Sequence, residues 1–110
     1  KETGVYRYTH GALTQLTRDH RFALGGRHEL YQYLGASDED TEISPTIGKI
    51  DRVTGERLLL CTDGVSRKLS DEELAAMLTA HPDAGDAAGA IIAAVKSVAT
   101  DNATVLVVDL

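Results

Sequence analysis

Two unbroken apolar runs constrain this chain more than anything else in it: Arg57-Leu58-Leu59-Leu60-Cys61 and the stretch from Thr104 to Leu110. Neither shows a clean period of two, so each predicts a strand covered on both faces of a sheet. Between them lie two segments with helical spacing. The first opens with Ser70 as N-cap and Glu73 three residues on, the reciprocal arrangement of a capping box. Leu69 and Leu74 flank that start as a hydrophobic staple. Asp71 and Glu72 put negative charge at the positive end of the helix dipole. Leu74, Met77 and Leu78 form the inward face. The second helix is predicted from about Ala84 to Val98, with Ala87, Ala88, Ile91, Ile92, Val95 and Val98 on one stripe.

Upstream, Val5-Tyr6-Arg7-Tyr8 and Leu13 to Leu16 read as a β-hairpin around a turn at His10-Gly11. Thr17-Arg18-Asp19-His20 breaks that pair. Ala23-Leu24-Gly25-Gly26 reads as a connector with a glycine hinge, leading to a short apolar segment from Leu30 to Leu34. Ser37 to Asp40 is an acidic turn, and Ile43, Ile47 and Ile50 lie around Pro45 in strand and loop. The order is strand–strand, connector, strand, helix, helix, strand. That is an α+β or sandwich-like arrangement in one domain spanning residues 1–110, not an alternating parallel α/β fold.

The net charge of −6 and the lack of any basic block beyond Arg67-Lys68 argue against nucleic acid or an anionic membrane as partner. No apolar stretch approaches the roughly 20 residues that span a bilayer, and the start does not read as a signal peptide. Cys61 is the single cysteine. An internal disulfide is thereby excluded, and a reducing, cytoplasmic setting fits best.

The residues best placed for chemistry are Asp63 and Asp101. Asp63 follows the first apolar run in Cys61-Thr62-Asp63-Gly64, where Gly64 permits a sharp turn. Asp101 precedes the second run in Thr100-Asp101-Asn102. If the two strands are neighbours, both carboxylates reach one edge of the sheet, and hard oxygen donors there suit Mg²⁺ or Mn²⁺. Asp-Gly and Asp-Asn are also ordinary turn dipeptides, and on spacing alone the turn reading outweighs metal binding by roughly four to one.

Five segments, taken together, resemble one family. Leu58 to Val65 is similar to its LLLCSDGL strand and metal aspartate. Ser70-Asp71-Glu72-Glu73-Leu74 resembles the helix start that follows, and Asp101-Asn102-Ala103-Thr104-Val105 the closing DNiTvvvv element. Val5 to Tyr8 with Leu16 to His20, and Leu30 to Gly35, resemble its upstream hairpin and its LtqyLG segment. The chain is identified by these as a member of the PP2C-type metal-dependent serine/threonine protein phosphatases, in the C-terminal half of a bacterial-like domain. Five segments in the family's order reverse the odds against metal binding.

The resemblance implies a PP2C-like α-β-β-α sandwich with its N-terminal part missing from this chain. It also implies a binuclear Mn²⁺ or Mg²⁺ centre, only partly encoded here, that activates a water for attack on a phosphoserine or phosphothreonine. Asp63 and Asp101 match positions that ligate one of the two metals. The phosphoprotein substrate, and pairing with the missing half or a second copy, are implied partners. The family's Asn-Glu-Asp segment, its Asp-Gly-Met-Gly-Gly loop and its phosphate-binding arginine have no counterpart in this sequence. No catalytic residue is therefore assigned within the chain.

Two further departures matter. The connector from His20 to Leu30 is shorter than the family's flap, and Arg67 stands where an acid is usual four residues after the metal aspartate. Both imply loss of a third metal site. They also keep open a non-catalytic PP2C-like module that binds phosphoprotein or regulates a partner. His10, His20, His28 and His81 lack metal-ligand spacing, Ser66 lacks a nucleophile context, and Gly25-Gly26 lacks a phosphate-loop pattern.

Overall fold

The computed structural model describes residues 3–18, 21–24, 27–30, 47–98 and 101–110, with backbone only for 21–24 and 27–30. Its elements are β1 (Gly4–Thr9), β2 (Ala12–Gln15), β3 (Arg21–Leu24), β4 (Arg27–Leu30), β5 (Arg57–Cys61), α1 (Asp63–Ser66), α2 (Asp71–Ala80), α3 (Ala84–Lys96) and β6 (Val105–Asp109). Four strands make one antiparallel sheet in the order β2-β1-β5-β6, and β3 pairs with β4 separately.

The β1–β2 hairpin turns where expected, with Thr9 opposite Ala12. His10 and Gly11 both take positive φ, 48° and 79°, the backbone that a two-residue hairpin loop matched to strand twist demands. Segment Ala23-Leu24, read as connector, instead lies in the β3 strand that pairs with β4. Four residues are too few for a hydrophobic period to separate a strand from a connector. Most of the predicted Leu30–Leu34 segment lies outside the described residues, as do Asp19, His20, Gly25, Gly26, the acidic turn and Pro45.

One face of the four-stranded sheet builds the core. Tyr6, Leu59 and Cys61 point into it and are closed over by Val65, Leu69, Leu74, Leu78, Ala87, Ile91 and Val95, all buried. Fully burying side chains of this size stabilises by roughly 1.5–3 kcal/mol each. The capping box at Ser70 and Glu73 forms in both directions, and Leu69 and Leu74 are buried beside it. In α3 the inward stripe is Ala87, Ile91 and Val95. Val98 falls beyond the helix and is 53% exposed, so the predicted helix was two residues too long. Asp83 caps its start by accepting from the Asp86 amide.

The other face carries Val5, Leu58, Leu60, Leu106 and Val108, which share register across the strands. Leu106 is 53% exposed and Val108 36%. Two-sided coverage, expected from the unbroken apolar runs, therefore holds for one face only among the described residues. Near the centre of this open face, Val5, Leu16, Leu58 and Ile50 border a depression of about 350 Å³.

The end of β5 where its chain enters carries the polar fastenings. Arg57, 5% exposed, donates to the carbonyls of Leu78 and His81 at 2.9 and 2.8 Å, to that of Pro82, and to Asp109 at 2.7 Å. It thereby satisfies carbonyls that the end of α2 leaves without intrahelical donors. Next to it, Glu56 accepts from both Nε and Nη2 of Arg7 and from the Thr9 hydroxyl.

Candidate metal centre

Strands β5 and β6 are neighbours and antiparallel, with Cys61 opposite Val105. The last residue of one strand thus faces the first of the other, so the segments carrying Asp63 and Asp101 emerge at the same end of the sheet. The two strands are thus the neighbours that a shared site for the two carboxylates requires.

Thr62 ties the segments together. Its amide donates to the Thr104 carbonyl at 3.0 Å, and its hydroxyl accepts from the Thr104 amide at 3.0 Å. The hydroxyl extends the β5–β6 ladder by one rung beyond the strands. One residue on, Gly64 is buried against the Asn102 backbone, where an added Cβ would stand 2.0 Å from the carbonyl oxygen. No side chain fits in that space. Gly64 was expected to serve a sharp turn, but it lies inside the short helix α1, and its role is to let two backbones touch. The sequence signalled the glycine and not its reason. Nothing in the sequence pointed to Thr62.

Asp63 is the first residue of α1, its side chain 24% exposed, and its Oδ2 lies 3.7 Å from Nη2 of Arg67. Asp101 is exposed, and its Oδ1 accepts from the Asn102 amide at 2.7 Å. Both are carboxylates on at least partly exposed side chains, the donor chemistry that Mn²⁺ and Mg²⁺ prefer. They fit as part of a ligand set. Among the described residues no group of three or more His, Cys, Asp or Glu side chains could hold a metal ion. His10 and His81 take no part in any such cluster.

Beside this end, on the open face, Thr3, Leu60, Cys61, Thr62, Thr104 and Leu106 line an almost wholly apolar depression of about 250 Å³. The Arg57 end has its own hollow of about 300 Å³, bordered by Tyr8, Thr79 and Asp109. It lies at the opposite end of β5 from Asp63.

No protein-family model matches the chain. It is 32% identical, over 111 aligned positions and 90% of its length, to the serine/threonine protein phosphatase PstP of Mycobacterium tuberculosis, of which it covers 22%. The crystal structure of the serine/threonine phosphatase PstP/Ppp from the same organism superposes with a TM-score of 0.78 at 28% identity, covering 99% of this chain and 52% of that one. In fold and in sequence the chain is PP2C-like. A second solved structure, the PstP catalytic domain in complex with two manganese ions, matches with a TM-score of 0.74 at 28% identity over 97% of this chain and 49% of that one. The PP2C-like chain therefore spans about half the length of the solved domains that it matches, with an antiparallel sheet and helices in the same arrangement.

Proposed function

We propose that the chain is part of a metal-dependent phosphatase that hydrolyses phosphoserine and phosphothreonine in proteins, with Asp63 and Asp101 among the ligands of one of two Mn²⁺ or Mg²⁺ ions. The observation that carries this reading is the convergence of the Asp63 and Asp101 segments beyond the β5–β6 ladder, fastened by Thr62 and Thr104. Divalent ions bound there would neutralise phosphoryl charge and lower the pKa of water. Asp63 and Asp101 put two carboxylates, the hard oxygen donors that such ions prefer, on segments that leave the same end of the sheet. Thr62 and Gly64 fix the spacing of the two segments.

The chain alone is incomplete for turnover in this reading, since the rest of the ligand set comes from outside it. The open face of Val5, Leu58, Leu60, Leu106 and Val108 supports pairing with the remaining half of such a domain or with a second copy. A net charge of −6 speaks against nucleic acid, and the single cysteine fits a reducing cytoplasm. Among the described residues no helix is long and apolar enough to cross a membrane.

One observation favours a second reading, a non-catalytic module that binds phosphoprotein. The Arg67 guanidinium beside Asp63 already supplies a positive charge where a metal would.

Calorimetric titration of the 110-residue chain with Mn²⁺ decides between the two. The phosphatase reading expects weak binding that Asp63→Asn abolishes and Asp101→Asn weakens, with hydrolysis of a phosphoserine peptide only when the complementary half is added. Binding unchanged in Asp63→Asn would overturn the ligand assignment.

A further inference from the structure

The contact between Arg67 and Asp63 has consequences for any cation that approaches. Arg67 follows α1 directly, and its amide donates to the Asp63 carbonyl at 3.0 Å. That one-turn separation brings its side chain back over Asp63, the i,i+4 geometry with the acid on the N-terminal side that favours pairing. Nη2 stands 3.7 Å from Oδ2, with the two side chains 45% and 24% exposed. The pair is therefore partly solvated.

We propose that Arg67 is a built-in competitor for the Asp63 carboxylate, which sets the affinity of this end of the sheet for a divalent ion. The inference rests on the assignment of Asp63 as a metal ligand. A bound ion of charge +2 at Asp63 meets the guanidinium at close range. Arg67 must then swing into solvent, giving up its ion pair, or stay and be repelled. Either way binding is weakened. The guanidinium is long and 45% exposed, so an exposed ion pair of this kind weakens a bound cation moderately and does not block it.

The test is Mn²⁺ titration of the 110-residue chain by calorimetry, for wild type, Arg67→Gln, Arg67→Lys and Asp63→Asn, at two ionic strengths. Arg67→Gln is expected to bind about two- to fivefold more tightly, the range an exposed ion pair allows. Arg67→Lys keeps the charge and is expected to stay near wild type. The gap between Gln and wild type should narrow at high salt, since exposed charges are screened. A merely structural arginine would show neither the lysine rescue nor the salt dependence. If Asp63→Asn abolishes binding while Arg67→Gln leaves it unchanged or weaker, the competitor role is overturned and the ligand assignment survives. If Asp63→Asn binds like wild type, both fall together.

Discussion

Gly64 touches the backbone of Asn102 so closely that a methyl group on its Cα would stand 2.0 Å from the Asn102 carbonyl oxygen. The obstacle is main chain on both sides, so neither partner can rotate out of the way. Substitution Gly64→Ala is expected to cost about 2–3 kcal/mol of stability, as overpacking against backbone does. It should also separate the Asp63 and Asp101 segments and, on the proposed ligand assignment, weaken Mn²⁺ binding. Urea denaturation with parallel calorimetry checks both. A loss under about 0.5 kcal/mol, the scale of ordinary surface changes, would mean that the two backbones do not touch in solution.

The Thr62 hydroxyl accepts from the Thr104 amide. Replacing it with valine keeps the shape and removes the acceptor, so Thr62→Val should cost about 1 kcal/mol, while Thr62→Ser should retain most of the stability. Amide hydrogen exchange at Thr104 reports the bond directly. Faster exchange is expected in the valine variant alone.

At the opposite end of β5, Arg57 serves three carbonyls and Asp109 from a buried position. Arg57→Met would leave those acceptors without their donor and is expected to cost about 3–5 kcal/mol, as breaking a buried charged network does. Arg57→Lys should rescue little, because a single ammonium cannot reproduce the forked geometry. Thermal unfolding followed by circular dichroism measures the ranking. A lysine variant as stable as wild type would contradict the fork.

Glu56 predicts how stability responds to acid. Hydrogen bonding from Arg7, aided by the Thr9 hydroxyl, holds its carboxyl below the usual range. A carboxylate with a lowered pKa in the fold contributes stability that is present above its unfolded value, about 4.3, and is lost as pH falls toward its folded value. Melting temperature should therefore drop on acidification below about pH 4.3, and Glu56→Gln should show a shallower acid limb. Identical slopes in both proteins would count against the pairing with Arg7.

The sequence carried the helix α2 almost complete, since Ser70, Glu73, Leu69 and Leu74 form a local signal that needs no distant partner. The hairpin turn at His10-Gly11 was legible for the same reason. Length was less so. Val98 continues the α3 stripe in sequence, yet the helix has already ended at Lys96, and periodicity does not register where packing stops. The unbroken runs at β5 and β6 hid an open face, because apolar residues look alike whether this chain or another covers them. For the site, Asp63 and Asp101 were visible as carboxylates at strand ends, but that their segments leave the same end of the sheet depends on β5 and β6 being antiparallel neighbours. Thr62 was invisible, since a threonine beside an aspartate carries no signature until its cross-strand partner is known.

The register of β5 against β6 has a consequence for how damage would spread. Slipping β6 by one residue would turn Val105 and Val107 out to solvent and drive Leu106 and Val108 beneath the helices. Oil under α3 thus acts as a ruler for two acids lying beyond the ladder. On the proposed ligand assignment, mutations that loosen that apolar layer should first be noticed as a drift in cation affinity, well before the protein melts.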